Sequence, residues 1–315
     1  LLRDIELVAK YGTRYHAQHL SSKKCVDLIK EAKENNLPIT SEVTPHHILE
    51  NNENLDSSST NLEQDTQSNV VDMMLGKNDE KVVDSEKMIQ ETQKRIWSSL
   101  KKGIEYDATV DRSDAYLRKH VHEKQSMVVM YVDLVGSTDI TLTLPEEKVA
   151  IIISSFAQEM AYAVKHHGGF VLKFVGDAVI GYFVHQSSLI AADNAIGAAK
   201  SMIKIIEEGI NPILNQYDYP DLFVKIGIDF GTNMIVRYGS DAEKSHVDLL
   251  GPAMNIAAKI QGKAKPQEIL IGEDVYTRIH PSLQKEFSKK TWTDGEWKYH
   301  SRENGELYPV YHHTN

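Results

Sequence analysis

The chain has 315 residues, with 35 Lys+Arg against 45 Asp+Glu, so its formal net charge is −10. Hydrophobic residues at 41% and charged residues at 25% fit an ordinary globular protein of one large or two average domains, and exclude collagen-like, disulfide-scaffold and wholly disordered classes. The acidic pI of about 5.8 argues against a general phosphate-backbone binder, so no nucleic-acid partner is expected.

The lone Cys25 can form neither an internal disulfide nor a Cys-based zinc site, as suits a reducing compartment. The chain opens Leu-Leu without Met, which leaves a preceding segment open. Arg3, Asp4 and Glu6 interrupt any signal peptide at once. In chain order, residues 21–35 place Val26, Leu28, Ile29 and Ala32 at helical spacing, and 37–43 alternate as a short strand. Residues 51–69 are almost entirely Asn, Ser, Thr, Gln, Glu and Asp. They have too little apolar surface to offset their ordering entropy, so 55–78 is expected to be a disordered linker. A helical pattern returns over 81–102 with Val82, Ile89, Ile96, Trp97 and Leu100, and Gly103 stops it. Val82, Ile89 and Ile96 could form a dimer seam, or pack on the domain that follows.

Residues 128–132 read as a buried strand, and Thr143-x-x-Glu146 with Pro145 as a capping box that opens a helix. That helix carries Val149, Ile152, Phe156, Met160 and Val164 up to Gly168-Gly169. Its apolar stretch, 149–164, contains Gln158 and Glu159 and falls short of the roughly 20 residues of a membrane span. No membrane association is expected, and the expected location is cytoplasmic. Residues 170–183 read as a hairpin with Gly176-Asp177 at its tip, and 190–206 as a second long helix. Strands follow at 222–228, 234–238 and 268–271, with a helix over 251–264. The fold class is α+β, and the chain divides into 1–54, the linker 55–78, a helical transmitter or dimerisation segment 79–124, and a compact domain 125–315.

Asp133 ends an apolar strand just before a Gly136-Ser137-Thr138 turn, and Asp177 follows Gly176 at a hairpin tip. Taken singly, each is an ordinary strand-end or turn aspartate. On adjacent strands, the two would hold divalent cations for phosphoryl chemistry. The segments Tyr131-Val-Asp133-Leu-Val-Gly136-Ser-Thr138, Leu172-Lys173-Phe-Val-Gly176-Asp177-Ala and Asp248-Leu-Leu-Gly251-Pro-Ala-Met-Asn255-Ile-Ala-Ala-Lys259 together resemble the class III nucleotidyl cyclase catalytic domain, in that family's order and spacing.

The resemblance implies a ferredoxin-like catalytic domain that works as a homodimer, with sites built across the interface. Asp133, Asp177 and the backbone carbonyl of Leu134 would hold two Mg²⁺ or Mn²⁺ ions. Gly136, Ser137 and Thr138 would cradle the β- and γ-phosphates. Lys173 matches the lysine with which adenylate cyclases read adenine N1, and Asp248 the acceptor of the adenine amino group. Guanylate cyclases typically carry Glu and Cys there, so the resemblance implies ATP and cyclic AMP. Asn255 matches the residue that orients the ribose. Lys259 stands where the family usually has a transition-state arginine, and keeps the charge without the bidentate fork. Arg302 stands near the family's triphosphate-binding lysine. The implied reaction is attack of the ribose 3′-OH on the α-phosphate with loss of pyrophosphate. The alternative is a catalytically weak or inactive nucleotide-binding sensor of the same fold, favoured by Lys259 alone.

At the other end, His16-Ala-Gln-His19-Leu-Ser21, Leu28-Ile-Lys-Glu-Ala-Lys33 and Glu42-Val-Thr-Pro-His46-His47 resemble part of a dihydroorotase, with His19 matching a zinc histidine. So short a piece cannot close a (β/α)₈ barrel of about 250 residues, so neither zinc nor amidohydrolase activity is expected.

Overall fold

A computed structural model describes residues 5, 8–10, 12, 15–17, 23–35, 37–41, 85–103, 111–241, 243–293, 295–301 and 304–314. The chain divides into two units, Leu1–Val82 and Val83–Asn315. In the first, strand β1 (Tyr15–Ala17) pairs in parallel with β2 (Ile39–Ser41), and helix α1 (Lys23–Glu34) connects them. Val8, Ile29, Ala32 and Ile39 form its small apolar cluster. The linker expected over 55–78, His19 and Val82 lie outside the described residues.

The second unit begins with α2 (Ser85–Lys102) and α3 (Asp111–Lys119). Next come β3 (Lys124–Val135), α4 (Ser137–Thr143), α5 (Glu146–His166), β4 (Phe170–Val175) and β5 (Ala178–Phe183). Helix α6 (Ser188–Lys204) runs on through a π-helical stretch, Ile205–Ile210, into α7 (Asn211–Asn215). Then follow β6 (Phe223–Tyr238), β7 (His246–Leu250), α8 (Pro252–Gln261), β8 (Glu268–Gly272), β9 (Phe287–Lys289) and β10 (Val310–His313).

One eight-stranded sheet runs in the order β4-β5-β3-β6-β8-β10-β9, and β7 pairs with the far half of β6. The four strands β4-β5-β3-β6 are mutually antiparallel and, with α5 and α6, form the βαββαβ unit of a ferredoxin-like fold. Strand β3 is covered on both faces, which is why it reads as an unbroken apolar run. Its even positions Val128, Met130, Val132 and Leu134 enter the larger core with Ile152, Phe156 and Met160 of α5. Met127 and Val129 enter a second core with Leu117 of α3 and Ala253, Met254 and Ala257 of α8. The apolar faces of α5 and α8 therefore clamp the strand whose end carries Asp133.

Helix α2 buries Met88, Ile96 and Leu100 in the larger core, so Ile96 packs on its own domain rather than being offered to a second chain. Beside it, the buried Glu159 accepts from Thr92 Oγ1 at 2.7 Å and from Arg95 Nε and Nη2 at 2.6 and 2.7 Å. Gln93 donates to the Glu208 carbonyl, in the π-helical stretch, at 2.8 Å.

Three sequence expectations are corrected. The strands expected at 222–228 and 234–238 are one continuous strand, β6 (Phe223–Tyr238), which pairs with β3 along the whole of β3. The capping box is not made: Thr143 is the last residue of α4, and its hydroxyl donates back to the Asp139 carbonyl at 2.8 Å, leaving Pro145 to start α5 without a side-chain cap. The second long helix does not end at Ile206 but continues through the π-helical stretch.

Candidate active site

Asp133 sits one residue past Val132, which pairs with Val179 of β5. The β4–β5 hairpin closes at Val175↔Ala178, leaving Gly176-Asp177 as a two-residue tip. Gly176 has φ +62 at the first central position, where a side chain would be strained. The two aspartates thus meet at one end of adjacent strands, the juxtaposition the sequence could not establish by itself. Burial first, and then the charge of Asp177, push the Asp133 carboxyl above the usual range. Two groups oppose this shift: Gln261 Nε2 donates to Asp133 Oδ2 at 3.1 Å, and Lys225, paired with Asp133 across β6, adds its positive charge. Neither Gln261 nor Lys225 belongs to a motif, and only the sheet register and the seat of α8 reveal them.

After Leu134 and Val135 the chain turns at Gly136, φ +83, directly into α4. No side chain caps this helix, so the first N–H groups, from Ser137 onward, lack intrahelical partners.

Lys173 and Asp248 form an ion pair through Nζ and Oδ2. A bulge makes this possible: the β4–β5 register skips Leu172, so Leu172 and Lys173 together oppose Ile180. Asp248 lies on β7 opposite Val236, its Oδ1 accepts from the Leu249 N–H at 2.9 Å, and His246 Nε2 stands 3.8 Å from its Oδ2. Tyr131 belongs to the same neighbourhood: burial and then the Asp248 charge raise its phenol above the ordinary value. Asn255 and Lys259 are exposed one turn apart on α8, whose Ala253, Met254, Ala257 and Ile260 are buried. Arg302 lies outside the described residues.

The structure therefore assembles three groups: Asp133 with Asp177, Lys173 with Asp248, and Asn255 with Lys259. Two carboxylates beside a backbone carbonyl are hard oxygen donors, suited to Mg²⁺ or Mn²⁺. Burial, with the Asp177 charge added to it, disfavours the ionised Asp133, and a cation bound there would offset both. Among the described residues, no group of three or more His, Cys, Asp or Glu side chains could hold a metal ion. Asp133 and Asp177 alone would leave much of a coordination sphere to substrate phosphates and water. No described helix is long and apolar enough to cross a membrane.

A family model of the adenylate and guanylate cyclase catalytic domain matches residues 120–310, and the chain belongs to that family. A cytidylate cyclase of Escherichia coli is 29% identical over 180 residues, 55% of this chain and 39% of that protein. An adenylate cyclase of Anabaena cylindrica is 28% identical over 157 residues, 49% of this chain and 30% of that protein. The chain thus spans well under half the length of these curated relatives. The crystal structure of the adenylyl cyclase CyaB from P. aeruginosa shares the fold, with a TM-score of 0.52 and 19% identity over 61% of this chain and 95% of that one. The N-terminal resemblance is also present: a dihydroorotase of Deinococcus radiodurans is 50% identical over 46 residues, 15% of this chain and 11% of that enzyme.

Proposed function

We propose that the chain is an adenylate cyclase, converting ATP to 3′,5′-cyclic AMP and pyrophosphate. The observation that carries this reading is the Lys173–Asp248 pair on a cyclase fold with two aspartates at neighbouring strand ends. A lysine donor beside a carboxylate acceptor complements the ring nitrogen and amino group of adenine. Against guanine, it would leave desolvated polar groups unmatched.

In this reading, Lys173 and Asp248 part from each other to grip the base edge. Asn255 orients the ribose, and the N–H groups of the Gly136–Thr138 turn hold the β- and γ-phosphates. Lys259 steadies charge that grows on the phosphates during in-line attack by the 3′-OH. Asp133, Asp177 and the Leu134 carbonyl would hold two Mg²⁺ or Mn²⁺ ions, which supply acidification of the 3′-OH and neutralisation of the leaving pyrophosphate.

The sites are composite in this proposal, each formed by two copies of the chain. A mixture of Asp177→Ala and Lys173→Ala proteins, each silent alone, then regains part of its activity; continued silence contradicts shared sites. The chain division at 79–124 and 125–315, the former carrying a signal to the latter, belongs to the same proposal.

A second reading has one observation in its favour, the likeness to a cytidylate cyclase. Cytosine also presents an amino donor beside a ring-nitrogen acceptor, so the pair could serve it, with ring size left to decide. The test incubates the purified chain with ATP, CTP, GTP and UTP separately and identifies each cyclic product. ATP is expected to give the largest kcat/KM; preference for CTP selects the second reading, and preference for GTP or UTP contradicts both.

A further inference from the structure

We infer that Gln261 is a positioning residue for the metal-binding carboxylate of Asp133, held at its post by the close approach of α8 to β6. This rests on the reading of Asp133 and Asp177 as the metal aspartates. The Gln261 amide donates to Asp133 Oδ2 at 3.1 Å, across 128 residues of chain. An amide N–H can only donate to a carboxylate, so the bond fixes the rotation of the group and leaves Oδ1 to a cation.

The approach itself is built into the sheet. Gly227 pairs with Tyr131, two residues before the Lys225↔Asp133 pair. A Cβ at Gly227 would fall 2.2 Å from the Gln261 backbone nitrogen and 2.5 Å from its Cα, so only a bare glycine lets the end of α8 sit this low. Ala253 and Ala257, buried on the same helix, let the rest of it pack close to the sheet, with a Cβ at Gly231 3.2 Å from the Ala253 methyl. Gln261 and Lys259 are two residues apart, about 200° around the helix. Lys259 is therefore exposed while Gln261 turns back onto its own sheet. The helix that presents Asn255 and Lys259 thus also sets the carboxylate at the end of β3, and a shift of α8 changes both together.

The test is Mn²⁺ binding by the full chain, followed by water-proton relaxation with Mn²⁺ as the only ligand. It compares the wild type with Gln261→Met, which keeps the length and apolar stem but cannot donate, and with Asp177→Asn. Gln261→Met is expected to weaken Mn²⁺ binding about 10-fold or more while the melting temperature holds. In turnover, the Mn²⁺ concentration for half-maximal rate rises by the same factor and the nucleotide KM stays put. Gly227→Ala, by lifting α8, is expected to reproduce the loss; should it fail to fold, Gln261→Met decides alone. Wild-type Mn²⁺ affinity in Gln261→Met, with binding lost in Asp177→Asn, overturns the inference and leaves the metal site standing. Undiminished binding in Asp177→Asn overturns the reading of the metal site itself.

Discussion

Lys173 and Asp248, 75 residues apart in sequence, meet as an ion pair joining β4 to β7. The bulge at Leu172 re-aims Lys173, and the regular pairing of β7 with the far half of β6 places Asp248. Both side chains remain partly open, 32% and 14% exposed, so a base edge can compete for them.

Replacing either member by alanine is expected to lower kcat/KM for ATP about 10²-fold, since the surviving partner then faces an unmatched edge. Lys173→Glu combined with Asp248→Cys, the guanylate-type pair, is expected to move preference towards GTP. The ratio of cyclic products from mixed nucleotides reads this directly; an unchanged ratio removes the pair from base recognition.

Lys259 tests how much the guanidinium fork matters. Lys259→Arg is expected to raise kcat several-fold with KM unchanged, because the gain is confined to the transition state. Lys259→Ala should cost about 10²–10³ in kcat. Steady-state kinetics on the two variants check both, and a rate indifferent to either change contradicts the role.

Besides its apolar face, α2 is docked through one buried carboxylate. Glu159 is 2% exposed and is held by Arg95 and Thr92. Arg95→Ala leaves that charge without its cation, at a cost of about 3 kcal/mol. For a unit of this size the melting temperature is expected to fall by about 6–12 °C. Thr92→Val should cost about 1 kcal/mol. Thermal unfolding of the two variants gives the comparison.

Asp229 sets a pH dependence away from the candidate site. It is buried, accepts from Tyr308 Oη at 2.7 Å, and burial pushes its pKa to about 8. Its folded value is above its unfolded one, so its contribution to stability is full below about pH 4 and is lost as the pH rises through about 8. Asp229→Asn keeps an acceptor for Tyr308 and removes the titration. The variant is expected to melt above the wild type at pH 8–9, with the gap closing towards pH 4. A gap that does not change with pH contradicts the assignment.

Much of this is legible in local sequence patterns. Asp177 at its hairpin tip, the apolar run of β3 and the amphipathic helix α5 are local patterns that appear where they point, but β3 extends over Lys124–Val135, so Asp133 lies two residues inside its end rather than ending it. What escaped the sequence depends on long-range packing. The expected strands at 222–228 and 234–238 are separated by a gap in the apolar pattern, yet β6 runs straight through it. Gly231 pairs with Met127 and lies beneath Ala253 of α8, where its Cβ would be 3.2 Å from the alanine methyl. Thr143 spends its hydroxyl on its own helix rather than on capping the next. Helix α3 is polar except where Leu117 and Tyr116 meet the second core. The Gln261 and Lys225 neighbours of Asp133 exist only once β6 and α8 are in place.

The most direct measurement is cyclic nucleotide and pyrophosphate release by the purified chain with ATP and with CTP in Mn²⁺, beside an Asp177→Asn control. The account predicts 3′,5′-cyclic AMP and pyrophosphate in equal amounts, abolished by the substitution. A cyclic product that survives Asp177→Asn, or a wild-type chain that binds ATP and never cyclises it, contradicts it.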